Sequence, residues 1–190
     1  MATYQEEFQQ TLYNRFIPEF CSELKRNCQI AGFKKPTVQI SEDDARYFLM
    51  ALHSGLIQHE GCGRYRAARS STFEQLFWTG SKEGEPRQFT LWLEPVITLG
   101  ALARLHFDYG WPRDLIGTQS VDYAFDLVTY LSNGPHEFIA CEVKKTAREI
   151  EQLLCLMKDY GQDPAGPEHL LFPKLMVSRS AGAQKGISFS

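Results

Sequence analysis

The sequence predicts an α/β fold, and three observations support it. Two β-rich runs, 121–131 and 137–144, are separated by Ser-Asn-Gly-Pro, and Asn-Gly is a strong hairpin signal. A helical pattern precedes them over about 90–109, and a second one follows over about 146–160. The run 169–179 predicts a further strand, which its internal proline confines to a sheet edge or a bulge. The predicted order is therefore helix, strand, strand, helix, strand.

The first 80 residues predict a helical N-terminal subdomain. Between residues 5 and 27, apolar side chains recur every four positions, as they do on one helical face: Phe8, Leu12, Phe16, Phe20 and Leu24. Pro18 predicts a kink or a restart in this helix. Ser41 is typical of an N-cap and precedes a helix that ends near Gly55. Ser71 and Glu74 form a capping-box pattern that predicts one more helix.

A linker is predicted between this subdomain and the rest of the chain. The stretch 79–88, TGSKEGEPRQ, is rich in glycine, proline and charge. We therefore expect two units, a helical subdomain over 1–80 and an α/β domain over 89–190. In the second unit, the helix over 90–109 should bury four side chains: Trp92, Val96, Leu99 and Leu102. Thr146 and Glu149 form a capping box that opens the last helix.

Charge and cysteine content narrow the class of protein. The net charge is −3 and the pI about 6.0, which disfavours a chain whose whole surface binds nucleic acid. A local basic patch or a partner subunit remains compatible with these values. The five cysteines are odd in number and form no CxxC pair, which favours free thiols in a reducing compartment. The polar N-terminus does not predict a signal peptide and no apolar run reaches 18 residues, so we expect a cytoplasmic protein without a membrane partner.

Charged side chains lie among apolar ones on the two central strands. Strand alternation places Glu142 and Lys144 on one face of their strand and the apolar residues between them on the other. Asp126 lies among apolar residues on the preceding strand, across the predicted hairpin. Two neighbouring carboxylates repel unless a cation lies between them, and a hard divalent ion such as Mg²⁺ prefers oxygen ligands. Lys144 could orient or deprotonate an attacking water, or stabilise charge on phosphorus. This pattern predicts metal-assisted attack on a phosphodiester.

The run from Asp126 to Glu142-Val143-Lys144 resembles the D…ExK signature of the PD-(D/E)xK nuclease superfamily. The resemblance covers about 89–160 and is closest to the nuclease module of type I restriction motor subunits. It implies a restriction-endonuclease-like αβββαβ core with a four-stranded mixed sheet, and Mg²⁺- or Mn²⁺-dependent hydrolysis of DNA. The proline that often precedes the first acid is absent here.

The same resemblance implies roles for individual residues. Asp126, Glu142 and Lys144 would be catalytic. The metal would be held by a set of four residues: Glu94, Asp126, Glu142 and Val143. Gln152, on the following helix, is an auxiliary candidate, and Asp122 competes with Asp126 because the two lie four residues apart on one strand face.

A basic cluster is the candidate contact with nucleic acid. Arg64, Arg66 and Arg69 form the densest basic run outside the ExK region, and we expect them to follow a phosphate backbone, together with Lys145 and Arg148. The aromatic side chains of the first half are expected in the core and not as base-stacking surfaces: Phe73, Phe77, Trp78 and Trp92.

The alternative function is a non-catalytic accessory or dimerisation module in a defence or mobile-element system. The sequence leaves DNA or RNA, and endonuclease or exonuclease, open.

Overall fold

The computed structural model describes residues 2–120, 125–131, 134, 136–161 and 174–175. Its α-helices are α1 (Tyr4–Thr11), α2 (Ile17–Cys21), α3 (Glu42–His53), α4 (Leu93–Phe107) and α5 (Ala147–Gly161). Its strands are β1 (Cys28–Lys34), β2 (Gln58–Gly61), β3 (Arg64–Arg66), β4 (Glu74–Gln75), β5 (Phe77–Thr79), β6 (Arg87–Leu91), β7 (Ile116–Thr118), β8 (Leu127–Tyr130), β9 (Glu137–Cys141) and β10 (Lys174–Leu175). In this part of the chain, no helix has the length and apolar character needed to cross a bilayer.

The strands form three sheets, which confirms the mixed α/β class. The first has the order β1-β6-β5, with β1 parallel and β5 antiparallel to β6. The second, β2-β3-β4, is antiparallel. The third has the order β10-β9-β8-β7, in which β7, β8 and β9 alternate in direction and β10 runs parallel to β9. From α4 onward the order of α-helices and strands is helix, three strands, helix, strand.

The first helical region is confirmed up to residue 21. Four of the five spaced side chains are buried, as predicted: Phe8, Leu12, Phe16 and Phe20. Leu24 was placed wrongly, because the helix ends at Cys21 and the Leu24 side chain is 92% exposed. Pro18 lies in the first turn of α2, where its missing N–H is tolerated, directly after a π-helical turn.

The prediction of a helical subdomain over 1–80 is wrong outside the helices, because β1 and four short strands between residues 58 and 79 lie in this range. Ser71 does not cap a helix, since its backbone N–H donates to the carbonyl of Thr118 at 3.2 Å. Glu74 lies in β4, opposite Tyr65 of β3, and is buried. The capping pattern fails because these groups find partners distant in sequence, which outweigh a local signal.

The stretch 79–88 does not separate two units. It contains the turn between the antiparallel strands β5 and β6, so both of its ends belong to one sheet. A single core of buried side chains crosses the predicted boundary, with members on both sides: Phe8, Phe48, Tyr65, Leu99, Leu127 and Val143. Gly100 of α4 lies against the backbone of α3, where a Cβ would be 3.4 Å from the carbonyl oxygen of Asp44 and the nitrogen of Phe48. The two halves are therefore packed together.

Several local predictions are confirmed. The Ser41 side chain accepts from the N–H of Asp44 at 3.1 Å and caps α3. Thr146 and Glu149 form the reciprocal capping contacts at the start of α5. Strands β8 and β9 pair antiparallel, although three residues of the Ser-Asn-Gly-Pro turn lie outside the described residues. Lys174 and Leu175, the described part of the run 169–179, form an edge strand. All five cysteines are free.

Candidate active site

Asp126 and Glu142 lie opposite each other at one end of the β8–β9 pair. The last paired residues are Leu127 and Cys141, so the antiparallel register makes Asp126 and Glu142 the next facing positions. The Asp126 carboxylate Oδ2 accepts a hydrogen bond from the N–H of Val143 at 2.7 Å. Its side chain therefore reaches the segment after β9 that carries the ExK triplet.

The face assignments along these strands agree with the predicted alternation. Leu127, Cys141 and Val143 are buried in the main core. Val128 and Ala140 belong to a separate small cluster on the other face of the sheet. Asp126 and Glu142 alternate with the core residues, and both are partly exposed at the sheet end.

Lys144 forms an ion pair and hydrogen bond with Glu142. Burial lowers the pKa of this ammonium, but the hydrogen bond to Glu142 and the negative charges of Glu142, Asp126 and Glu94 outweigh it, so the pKa is raised. Lys144 therefore carries a positive charge among three carboxylates.

Glu94 approaches the same place from the first turn of α4. An acid is favoured there by the helix dipole, but this one also has tertiary partners. Its Oε2 accepts from the indole Nε1 of Trp92 at 3.0 Å, and its Oε1 lies 4.0 Å from Nζ of Lys145. The charge of Glu94 acts on both Asp126 and Lys144.

Asp126 is difficult to ionise in the protein without a bound cation. Burial raises the pKa of its carboxyl to about 6, against the lowering effect of the Val143 hydrogen bond. The neighbouring charges of Glu142 and Glu94 also contribute to this raised pKa, while the charge of Lys144 acts to lower it. The site therefore concentrates negative charge where water screens it poorly.

Glu74 is a further site residue that the sequence did not indicate. Its side chain is only 6% exposed, and its Oε1 accepts from the amide Nε2 of Gln119 at 2.9 Å. Burial raises its pKa to about 7; hydrogen bonds from Gln119 and Thr118 oppose the shift, and the charge of Asp126 adds to it. The backbone N–H of Gln119 donates to the carbonyl of Asp126 at 3.0 Å. The local pattern assigned Glu74 to a helix cap, so no signal in the sequence linked it to Asp126.

The arginine cluster is occupied by contacts within the chain. Arg64 donates to the carbonyl of Gly61 at 3.1 Å and Arg66 to that of Ser70 at 3.1 Å. Arg69 donates to Gly134 at 2.8 Å and covers the ring of Tyr130, at the end of β8 opposite to Asp126. The structure therefore does not place Arg69 beside the carboxylates.

The remaining predicted residues lie on or near α5. Lys145 pairs with Glu94 and lies 3.8 Å from Glu149, so it belongs to the site. Arg148 and Gln152 are exposed and line one shallow depression on α5. Asp122 lies outside the described residues, and its competition with Asp126 is untested.

The described carboxylates are close but not gathered around one point. Within the described ranges, no three histidine, cysteine, aspartate or glutamate side chains are arranged to hold a metal ion. The arrangement consists of carboxylates facing one another at a strand end, with one lysine among them. Comparison with protein-family models, with curated proteins and with solved structures finds no match to this chain.

Proposed function

We propose that this protein is a metal-dependent nuclease that hydrolyses phosphodiester bonds, with DNA as its substrate. The observation that carries the proposal is the facing pair of Asp126 and Glu142, with Lys144 beside them. The order from α4, together with a four-stranded mixed sheet, supports a restriction-endonuclease-like core. Catalysis is assigned to Asp126, Glu142 and Lys144.

The chemistry of the donors fits a hard divalent cation. Asp126, Glu142 and Glu94 offer carboxylate oxygens, which Mg²⁺ and Mn²⁺ accept. Burial and like charges make ionised Asp126 unfavourable, and a bound cation would relieve both effects. Val143 follows Glu142 and already contacts Asp126 through its N–H, which fixes that carboxylate. When bound, the cation would polarise a phosphoryl oxygen and lower the pKa of a water.

Lys144 suits charge stabilisation better than proton abstraction. Its raised pKa keeps the ammonium protonated, so it cannot accept a proton from water in this state. A protonated lysine beside the carboxylates can hold a phosphate oxygen and stabilise negative charge on phosphorus during attack. Glu74 and Gln119 hold the main chain at Asp126. The Gln119 amide donates to the Glu74 carboxylate, and its backbone N–H donates to the Asp126 carbonyl.

The test is a cleavage assay on single-stranded, duplex and branched DNA and RNA with Mg²⁺, Mn²⁺ or EDTA. We expect metal-dependent cleavage of DNA that Asp126→Asn and Lys144→Ala each reduce by about 100-fold or more. Asp114→Asn and Lys158→Ala change exposed residues outside the site and should cleave like the wild type. A Lys144→Ala variant as fast as the wild type would remove the role given to Lys144.

Two observations favour the alternative, a non-catalytic interaction module. Lys144 neutralises Glu142 directly, and the described acids form no ready three-ligand group. Such a module would bind no metal and cleave nothing under any condition of the assay. Isothermal titration of Mg²⁺ or Mn²⁺ into wild type and Asp126→Asn separates the two functions, because only the nuclease requires binding that the variant loses.

A further inference from the structure

Three aromatic side chains that were expected in the core are on the surface: Phe73, which is 44% exposed, and two tryptophans. Trp78 of β5 is 60% exposed, and Trp92, directly after β6, is 40% exposed. Phe77, the neighbour of Trp78 in β5, is in the core as predicted. Exposed indoles are costly in water and are frequent where a protein binds a partner.

Strand register places both indoles on one face of the sheet. Trp78 faces Thr90 of β6, and Lys34 of β1 faces Thr90 from the other side. Trp92 directly follows β6 with an extended backbone, and Thr90 and Trp92 alternate with the buried Phe89 and Leu91, so Trp92 lies on the same face as Thr90, diagonal to Trp78. Diagonal neighbours in a sheet are about 7–8 Å apart, within reach of aromatic side chains. The outer face of β1-β6-β5 thus carries two indoles and an exposed lysine.

This face is continuous with the carboxylate site. The Trp92 indole donates to Glu94, whose charge acts on Asp126. Lys145 pairs with the same Glu94 carboxylate. A ligand lying across Trp78 and Trp92 would therefore extend directly to the residues proposed to bind the metal.

We propose that Trp78 and Trp92 form a base-stacking platform that delivers single-stranded nucleic acid to the site. The inference rests on the proposed nuclease function and names its substrate class. Bases in a single strand expose their faces for stacking on aromatic rings, whereas those in a duplex are already stacked on one another. Lys34 beside the indoles and Lys145 beside Glu94 supply positive charge at the two ends of the platform for the phosphates.

The experiment measures binding of the full chain to a fluorescent oligothymidine and to a duplex of equal length, in EDTA so that no cleavage occurs. We expect Trp78→Ala to weaken oligothymidine binding about 5- to 100-fold, as loss of one stacking contact does. Tyr109→Ala is the matched control, because Tyr109 is also 60% exposed but follows the far end of α4 from Glu94. Melting temperatures should confirm that both variants fold.

The outcomes separate this inference from the proposed function. Wild-type affinity of Trp78→Ala for oligothymidine would overturn the platform, even if metal-dependent cleavage is found. Trp78-dependent binding without any metal-dependent cleavage would support the platform and reject the nuclease. A dimer that dissociates in Trp78→Ala, with no oligothymidine binding by the wild type, would show that the face binds a second copy and would overturn the inference.

Discussion

Ionisation of Asp126 opposes folding of the metal-free chain. Its pKa of about 6 lies above the ordinary 3.8 of an unfolded aspartate, so the folded state binds its proton more tightly. Stability is therefore lost as the pH rises from about 4 to about 6, and the full penalty applies above that range. A shift of this size is worth about 3 kcal/mol, which partial exposure reduces to about 1 kcal/mol.

We expect Asp126→Asn to raise the free energy of unfolding by about 1 kcal/mol near pH 8 and by much less near pH 4. The asparagine oxygen can still accept from the Val143 N–H, so the change removes mainly the charge. Denaturant unfolding in EDTA at both pH values measures the effect. An equal change at the two pH values would show that charge is not its cause.

Glu74 supplies a second check on the same charge cluster. Burial raises its pKa to about 7 and the charge of Asp126 contributes to that shift, so ionised Asp126 makes Glu74 harder to ionise. Near pH 8, the stabilisation of Glu74→Gln combined with Asp126→Asn should be smaller than the sum of the two single changes. Additive effects would mean that the two carboxyls do not interact.

At the level of elements, the edge of β7 is covered by a segment from the first half of the chain. The N–H groups of Arg69 and Ser71 donate to Ile116 and Thr118, at 3.1 and 3.2 Å. At Gly117 a Cβ would lie 2.3 Å from the carbonyl atoms of Arg69, a separation that the two backbones cannot accommodate. Glycine is therefore required for this close approach.

Gly117→Ala should destabilise the fold by about 1–3 kcal/mol, because the two backbones must separate and lose hydrogen bonds. Gly84→Ala is the matched control: the nearest atom to its Cβ is 3.8 Å away, in the turn between β5 and β6. Thermal unfolding compares the two variants. A Gly117→Ala protein as stable as Gly84→Ala would contradict the close contact.

At the scale of the whole molecule, the chain does not divide where its composition changes. Strand β6 lies between β1 and β5, and α4 packs against α3. A fragment of residues 89–190 would expose these surfaces and lose Glu74. We expect it to lack cooperative unfolding and near-ultraviolet dichroism, both of which the full chain should show. A fragment that unfolds cooperatively would restore the two-unit prediction.

Local chemistry determined what the sequence predicted correctly. The caps at Ser41 and Thr146 depend on atoms three residues apart, and the β8–β9 pairing on alternation and an Asn-Gly turn. The same alternation placed Asp126 opposite Glu142 and put Lys144 next to it. These relations need no knowledge of the remaining chain, because they arise within one turn or one hairpin.

The tertiary structure decided what depends on partners distant in sequence. Glu74 matches a helix cap locally, but pairing with β3 and the Gln119 amide make it a buried neighbour of Asp126. Trp78 and Trp92 are apolar enough for a core, yet the sheet register turns both to its outer face. Arg69 is held against Tyr130 and not beside the carboxylates. Contacts beyond the local segment fixed the direction of these side chains, which composition and periodicity do not specify.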